Sequence, residues 1–177
     1  MKRTVFTLAA LAAFAAASST ASAQSTKPVS LGISAGAAIP VSDLANDYST
    51  GWNGTVSLGF NSYGSPLGFR VDGMYNSMSA QSGVNLPDVK ISSANANLVY
   101  ALPGTGIRPY LIGGAGIYGL KSDVNGSSTI TKLGLNGGIG ASFPLSGFNT
   151  FVEARLHHVF SDNVSTQFIP VTFGISF

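Results

Sequence analysis

Residues Phe168 to Phe177 read FIPVTFGISF. Every second residue is large and apolar: Ile169, Val171, Phe173, Ile175 and Phe177. Pro170, Thr172, Gly174 and Ser176 lie between them. Alternation of period two puts one set on each face of a β-strand. Such a strand has one face suited to hydrocarbon, and nothing polar follows it in the sequence. At the edge of a soluble sheet it would be an aggregation hazard. In a closed barrel the last strand pairs with the first and leaves no edge, and lipid matches its apolar face.

The same pattern recurs upstream in segments of roughly ten residues, the signature of a transmembrane β-barrel. It predicts strands over Ser30–Ile39, Gly51–Asn61, Leu67–Ser77, Val89–Leu102, Pro109–Lys121, Thr129–Phe143 and Thr150–Phe160, with the tail as the eighth. Leu31, Ile33, Val56, Leu58, Phe69, Val71, Ala96, Leu98, Leu133, Ile139, Leu156 and Phe160 fall on the apolar faces. The fifth strand is ambiguous because Leu111 and Ile112 are both apolar. Its expected outward set is Tyr110, Ile112, Gly114, Gly116 and Tyr118. Tight turns are expected at Ser62–Pro66, Pro103–Pro109 and Pro144–Asn149, and looser polar connections at Pro40–Thr50, Met78–Asp88, Ser122–Ser128 and Ser161–Ser165. The fold class is therefore all-β: an eight-stranded antiparallel up-and-down transmembrane barrel. Short turns belong on the periplasmic side and longer loops outside the cell, which puts both termini in the periplasm.

Charge supports lipid over water as the outer solvent. Only 9% of the 177 residues are charged, against about 25% in ordinary soluble domains. A soluble sandwich shows the same alternation but carries far more charge on its outward faces. There is no cysteine, which excludes disulfides and thiolate metal sites.

The N-terminus, MKRTVFTLAALAAFAAASSTASAQ, has a basic start, an uncharged apolar stretch from Val5 to Ala17 and a small-x-small pattern at Ala21–Ala23. It reads as a secretory signal peptide over residues 1–23, with residues 24–177 as the barrel domain. The apolar run falls short of the ~20 residues of a spanning anchor. Losing Lys2 and Arg3 takes the basic count from 9 to 7, equal to the 7 acidic residues. The processed chain is thus formally neutral, and no nucleic-acid partner is expected.

A tail of this kind ending in Phe177 resembles the C-terminal signature of bacterial outer membrane β-barrel proteins. The stretch Arg108-Pro-Tyr-Leu-Ile-Gly-Gly-Ala-Gly-Ile-Tyr118 is similar to the mid-barrel strand of small eight-stranded members of the opacity and outer membrane protein beta-barrel domain type. The resemblance implies an outer membrane address. It also implies that Phe173, Ile175 and Phe177 serve as an assembly signal read by the barrel assembly machinery. Relatives include adhesins, resistance factors, structural proteins and a few enzymes. Connections here of at most about eleven residues are shorter than those of many adhesive relatives.

The few remaining charges carry the site expectations. Alternation points Arg70 and Asp72 inward on the third strand, and Glu153 and Arg155, with His157 beyond them, inward on the seventh. An eight-stranded lumen is just wide enough for side chains to fill, so these charges should pair across it as a plug. Inward Gly138 and Gly140 leave space that keeps a solute path open as an alternative. Trp52, Tyr75, Tyr100, Tyr110 and Tyr118 are expected as interfacial aromatic girdles. Lys90, Lys121 and Lys132 lie near the outer rim, within reach of lipopolysaccharide phosphates. His157, His158, Ser161 and Asp162 supply the residue types of acyl transfer, but only as sequence neighbours. Adjacent histidines on a strand face opposite sides, so no metal site is expected, and no residue suggests a cofactor. The expected function is a non-enzymatic structural or surface-interaction barrel with a charge-plugged lumen. The alternatives are a narrow channel for small polar solutes and, third, a lipid-modifying enzyme. Partners are outer membrane lipid, lipopolysaccharide and the assembly machinery; the sequence sets no oligomeric state.

Overall fold

The tail strand finds its partner at the opposite end of the chain. The backbone N–H of Phe177 donates to the Leu31 carbonyl at 2.9 Å, and that of Leu31 returns a bond of 3.2 Å to Phe177. This pairing closes a sheet of eight antiparallel strands in sequence order in the computed structural model. The structure describes residues 28–62, 64–83, 86–104, 106–122, 129–161 and 166–177. The strands are β1 (Val29–Val41), β2 (Gly51–Asn61), β3 (Leu67–Met78), β4 (Val89–Ala101), β5 (Arg108–Ser122), β6 (Ile130–Pro144), β7 (Asn149–Val159) and β8 (Thr166–Ser176). Their ends depart from the sequence expectation by at most two residues. A one-turn helix, α1 (Leu44–Asp47), interrupts the β1–β2 connection; four residues are too few to show a helical period. The expected segment 1–23, Asp162 and most of the connections 122–128 and 161–165 lie outside the described residues.

Alternation along each strand sorts side chains between lipid and lumen. Leu31, Ile33, Val56, Leu98, Leu133, Ile139 and Phe173 are exposed on the outside, where hydrocarbon is the matching solvent. Asn53, Asp72, Asn76, Asn95, Asn97, Glu153, Arg155 and His157 are buried inside. No helix among the described residues is long and apolar enough to cross a membrane; the long elements are strands. One end of the cylinder, called the turn end, has the β2–β3, β4–β5 and β6–β7 connections. Each contains a positive-φ glycine: Gly64 (77°), Gly106 (88°) and Gly147 (97°). Only glycine takes that conformation without strain. The β1–β2 and β3–β4 connections and α1 define the other, the loop end.

The face assignment of β5 is corrected. Leu111 and Ile117 are 48% and 53% exposed, whereas Tyr110, Ile112 and Tyr118 are buried at 8%, 3% and 0%. The reason lies on β6. Tyr110 pairs with Gly140 and Gly116 with Gly134, and a Cβ on Gly140 would run into the Tyr110 ring. One on Gly134 would lie 2.7 Å from Tyr118 Cε2. The inward glycines of β6 are the seats of the tyrosines of β5. Gly140→Val is therefore expected to cost about 1–3 kcal/mol by overpacking, read from urea unfolding in bilayers. An unchanged midpoint would contradict the seat.

Candidate functional site

The lumen holds four charges in one closed ring. β3 contributes Arg70 and Asp72, and β7, diametrically across the barrel, contributes Glu153 and Arg155. Arg70 Nη2 donates to Glu153 Oε1 at 2.8 Å, and Arg155 Nε lies 2.8 Å from the same oxygen. Arg155 Nη1 donates to Asp72 Oδ2 at 2.6 Å. Arg70 Nε lies 3.0 Å from Asp72 Oδ1, a charge contact rather than an aligned hydrogen bond. Each base thus touches both acids. The ring is formally neutral and almost wholly buried, with only Arg70 retaining 14% of its side-chain surface. Charges taken out of water persist when paired and further hydrogen-bonded. The further bonds come from Tyr110, whose hydroxyl donates to Glu153 Oε2 at 2.7 Å, and from Asn97, whose Nδ2 donates to Asp72 Oδ2 at 2.9 Å.

Tyr110 and Tyr118 are therefore lumen residues, not girdle residues. Sequence reasoning missed both because it took the wrong face of β5; the facing glycines of β6 are the signal that finds them. Asn97 was legible as inward but not as a carboxylate ligand. His157 stands apart from the ring. Its Nδ1 lies 2.8 Å from the Tyr118 hydroxyl, and its ring stacks on Phe168 at 5.0 Å. His158 faces outward, 2.9 Å from Gln167 Nε2 and edge-on to Phe160. The two histidines thus take opposite sides of β7, and His157 is engaged with a phenol rather than a serine. No group of three or more His, Cys, Asp or Glu side chains converges as a metal site among the described residues.

The lumen is layered about the ring. At the turn end a cavity of about 160 Å³ is lined by Ser30, Ser57, Asn61, Ser142 and Ser176, with Arg70 and Tyr110 at its floor. Beyond the ring come Asn53, Asn76 and Thr55, tied by Asn53 Nδ2 donating to Asn76 Oδ1 at 2.7 Å and Thr55 donating to Asn53 Oδ1 at 3.1 Å. The loop end is filled by an apolar cluster that includes Met78, Ile91, Val159 and Phe168. Leu44 of α1 joins that cluster. α1 is held over it by Gln81, whose Nε2 donates to the Ala45 carbonyl and whose backbone N–H donates to that of Asp47, both at 2.8 Å. Two layers thus lie across the lumen, one of charge pairs and one of apolar side chains.

On the outside, Trp52 and Tyr75 pack together at the loop end with ring centroids 5.3 Å apart, and Tyr100 stands exposed near the turn end. Phe173, Ile175 and Phe177 share the outward face of the last strand; Phe173 and Phe177 are 58% and 50% exposed.

Residues 6–177 match the family described as outer membrane protein beta-barrel domain. The chain belongs to this family. As a member it is a protein of the bacterial outer membrane. Its fold is similar to that of Neisserial surface protein A, with a TM-score of 0.69 at 20% identity over 85% of this chain and 96% of that one. Ail, the attachment invasion locus protein of Yersinia pestis, aligns with a TM-score of 0.51 at 20% identity over 84% and 97%. The N-terminal β-barrel domain of Pseudomonas aeruginosa OprF aligns with a TM-score of 0.51 at 14% identity over 84% and 97%. At these identities the likeness is one of fold. No curated protein matches the sequence significantly. In an outer membrane barrel short turns face the periplasm, so the turn end is the periplasmic end and α1 caps the extracellular one.

Proposed function

We propose that this family member is a non-enzymatic barrel with a structural or surface-interaction role and a lumen that does not conduct. The observation that carries the reading is the closed ring of Arg70, Asp72, Glu153 and Arg155, in which each charge is paired with its opposite. Gly140, whose missing side chain offered room for a solute path, is opposite Tyr110 and filled by it. His157, the residue around which lipid chemistry would be built, is committed to Tyr118 inside the wall. In planar bilayers the purified barrel is expected to show no steady single-channel steps. Regular steps would overturn the closed lumen and favour the second reading, a narrow path for small polar solutes fed by the serine-lined periplasmic cavity.

The partners that fit are those of the outer leaflet and of assembly. Segment 1–23 is proposed as the export signal. Lipopolysaccharide is proposed as the lipid partner through the lysines at the extracellular rim. A protein of this fold, Ail, has been solved with the heparin analogue sucrose octasulfate, a polyanion. Phe173, Ile175 and Phe177 are proposed as the strand read by the assembly machinery. Deleting Phe177 removes one outward aromatic and its two backbone bonds to Leu31. It is expected to lower the amount of folded barrel in the outer membrane several-fold, measured as the heat-modifiable band in membrane fractions. Undiminished levels would count against an assembly role.

A further inference from the structure

We infer that the outer wall of β2–β5, at its extracellular edge, carries a binding site for a phosphorylated, acylated glycolipid of the outer leaflet. This deepens the lipopolysaccharide partnership proposed above and rests on it. Basic residues are scarce, and their placement is uneven. After residue 23, Arg70 and Arg155 serve the lumen, Arg108 begins β5 at the periplasmic end, and Lys27 precedes the described chain. The remaining three, Lys90, Lys121 and Lys132, stand at the extracellular ends of three consecutive strands, β4, β5 and β6.

The register separates these three. Lys90 is the direct partner of Lys121. Lys90 also pairs with Ser77, and Ser77 with Trp52. Trp52, Ser77, Lys90 and Lys121 therefore form one rung on the outward face of four adjacent strands. The next rung toward the periplasm is Gly54, Tyr75, Ser92 and Gly119. Lys132 pairs with the inward Tyr118, so it turns to the rim of the lumen. Two lysines directly opposite on one face set two like charges within reach of a single phosphate. Ser77 and Ser92 add hydroxyls to the patch. Trp52 and Tyr75 add amphipathic rings at headgroup level, where a sugar can lie against them. Below these two rungs the wall is apolar, and along β3–β5 it holds small residues, with Gly73 opposite Ala94 and Ala96 opposite Ala115. A Cβ on Gly73 would meet nothing within 4 Å, so acyl chains can lie close to the backbone there. The chemistry selected is an anionic headgroup, a sugar and acyl chains in one molecule.

Trp52 is the sole tryptophan of the sequence and sits on the charged rung, so its fluorescence reports the site. Folded barrel in detergent is titrated with diphosphoryl lipid A, with its dephosphorylated form as control. The native chain is expected to give a saturable Trp52 shift that requires the phosphates. Lys90→Ala/Lys121→Ala is expected to weaken it by about tenfold or more. Lys132→Ala removes one lysine charge from the lumen rim and is expected to leave it unchanged. Both variants change the rim alone, and the heat-modifiability gel verifies their folding. Weakening by both variants in proportion to the charge each removes would mean diffuse attraction and overturn the wall site. Weakening by Lys132→Ala alone would move the contact to the lumen rim, overturning the wall site while the partnership stands. A native chain with no phosphate-dependent response would overturn both.

Discussion

Arg155→Met is expected to lower the unfolding free energy of the barrel by about 3–5 kcal/mol, the cost of stranding a buried charge. Arg155 touches Asp72 at 2.6 Å and Glu153 at 2.8 Å. Without it two carboxylates share Arg70 alone, and the buried ring carries a net negative charge. Adding Glu153→Gln removes the surplus. What remains is the Arg70–Asp72 pair with its Asn97 donor, and Tyr110 still has an oxygen to donate to. The double variant is therefore expected to be more stable than the single one. Urea unfolding in phosphatidylcholine bilayers gives the ranking. A double variant that loses as much as, or more than, the single one would mean that the four charges do not act as one ring.

Phe168→Ala is expected to cost a similar amount, about 3–5 kcal/mol, for a different reason. Phe168 is wholly buried against His157 and the apolar cluster at the extracellular end. Its removal loses both burial and packing, because a rigid barrel wall cannot collapse into the gap. Phe173→Ala on the same strand makes the comparison internal. Phe173 faces outward, where fluid lipid closes over the missing ring and no cavity forms. Its cost is expected to be clearly smaller in the same unfolding assay. Equal costs would mean that the extracellular end of the lumen is not packed as a plug.

The strands were legible because lipid outside and polar residues inside enforce a strict period of two. In β1, β2 and β8 that period appears residue by residue. It failed on β5, where Leu111 and Ile112 are adjacent and both apolar and tyrosines at each end suggested girdles. The information that fixes the phase is not on β5 at all. It is the pair Gly134 and Gly140 on β6, whose bare backbone admits the two rings. Alternation likewise put Arg70, Asp72, Glu153 and Arg155 on inward faces. Which base meets which acid depends on the width of the closed cylinder and the stagger between β3 and β7, and no local pattern records those. Tyr110 and Asn97 complete the ring from strands, β5 and β4, that supply none of its four charges. The one-turn helix α1 was invisible because Leu44–Asp47 spans barely one turn and cannot show a helical period, and the apolar cap at the extracellular end went unread with it.

Leucine and isoleucine methyl contacts to lipid, measured by NMR in nanodiscs, probe the whole arrangement at its least obvious point. If hydrocarbon covers the outward face of a closed barrel with the β5 phase described above, acyl-chain methylenes will show cross-relaxation with Leu98, Leu111, Ile117, Leu133 and Ile139 and none with Ile112. Contacts to Ile112 with none to Leu111 would invert β5 and remove Tyr110 from the ring. A processed chain that stays soluble and shows no lipid contact would contradict the barrel itself.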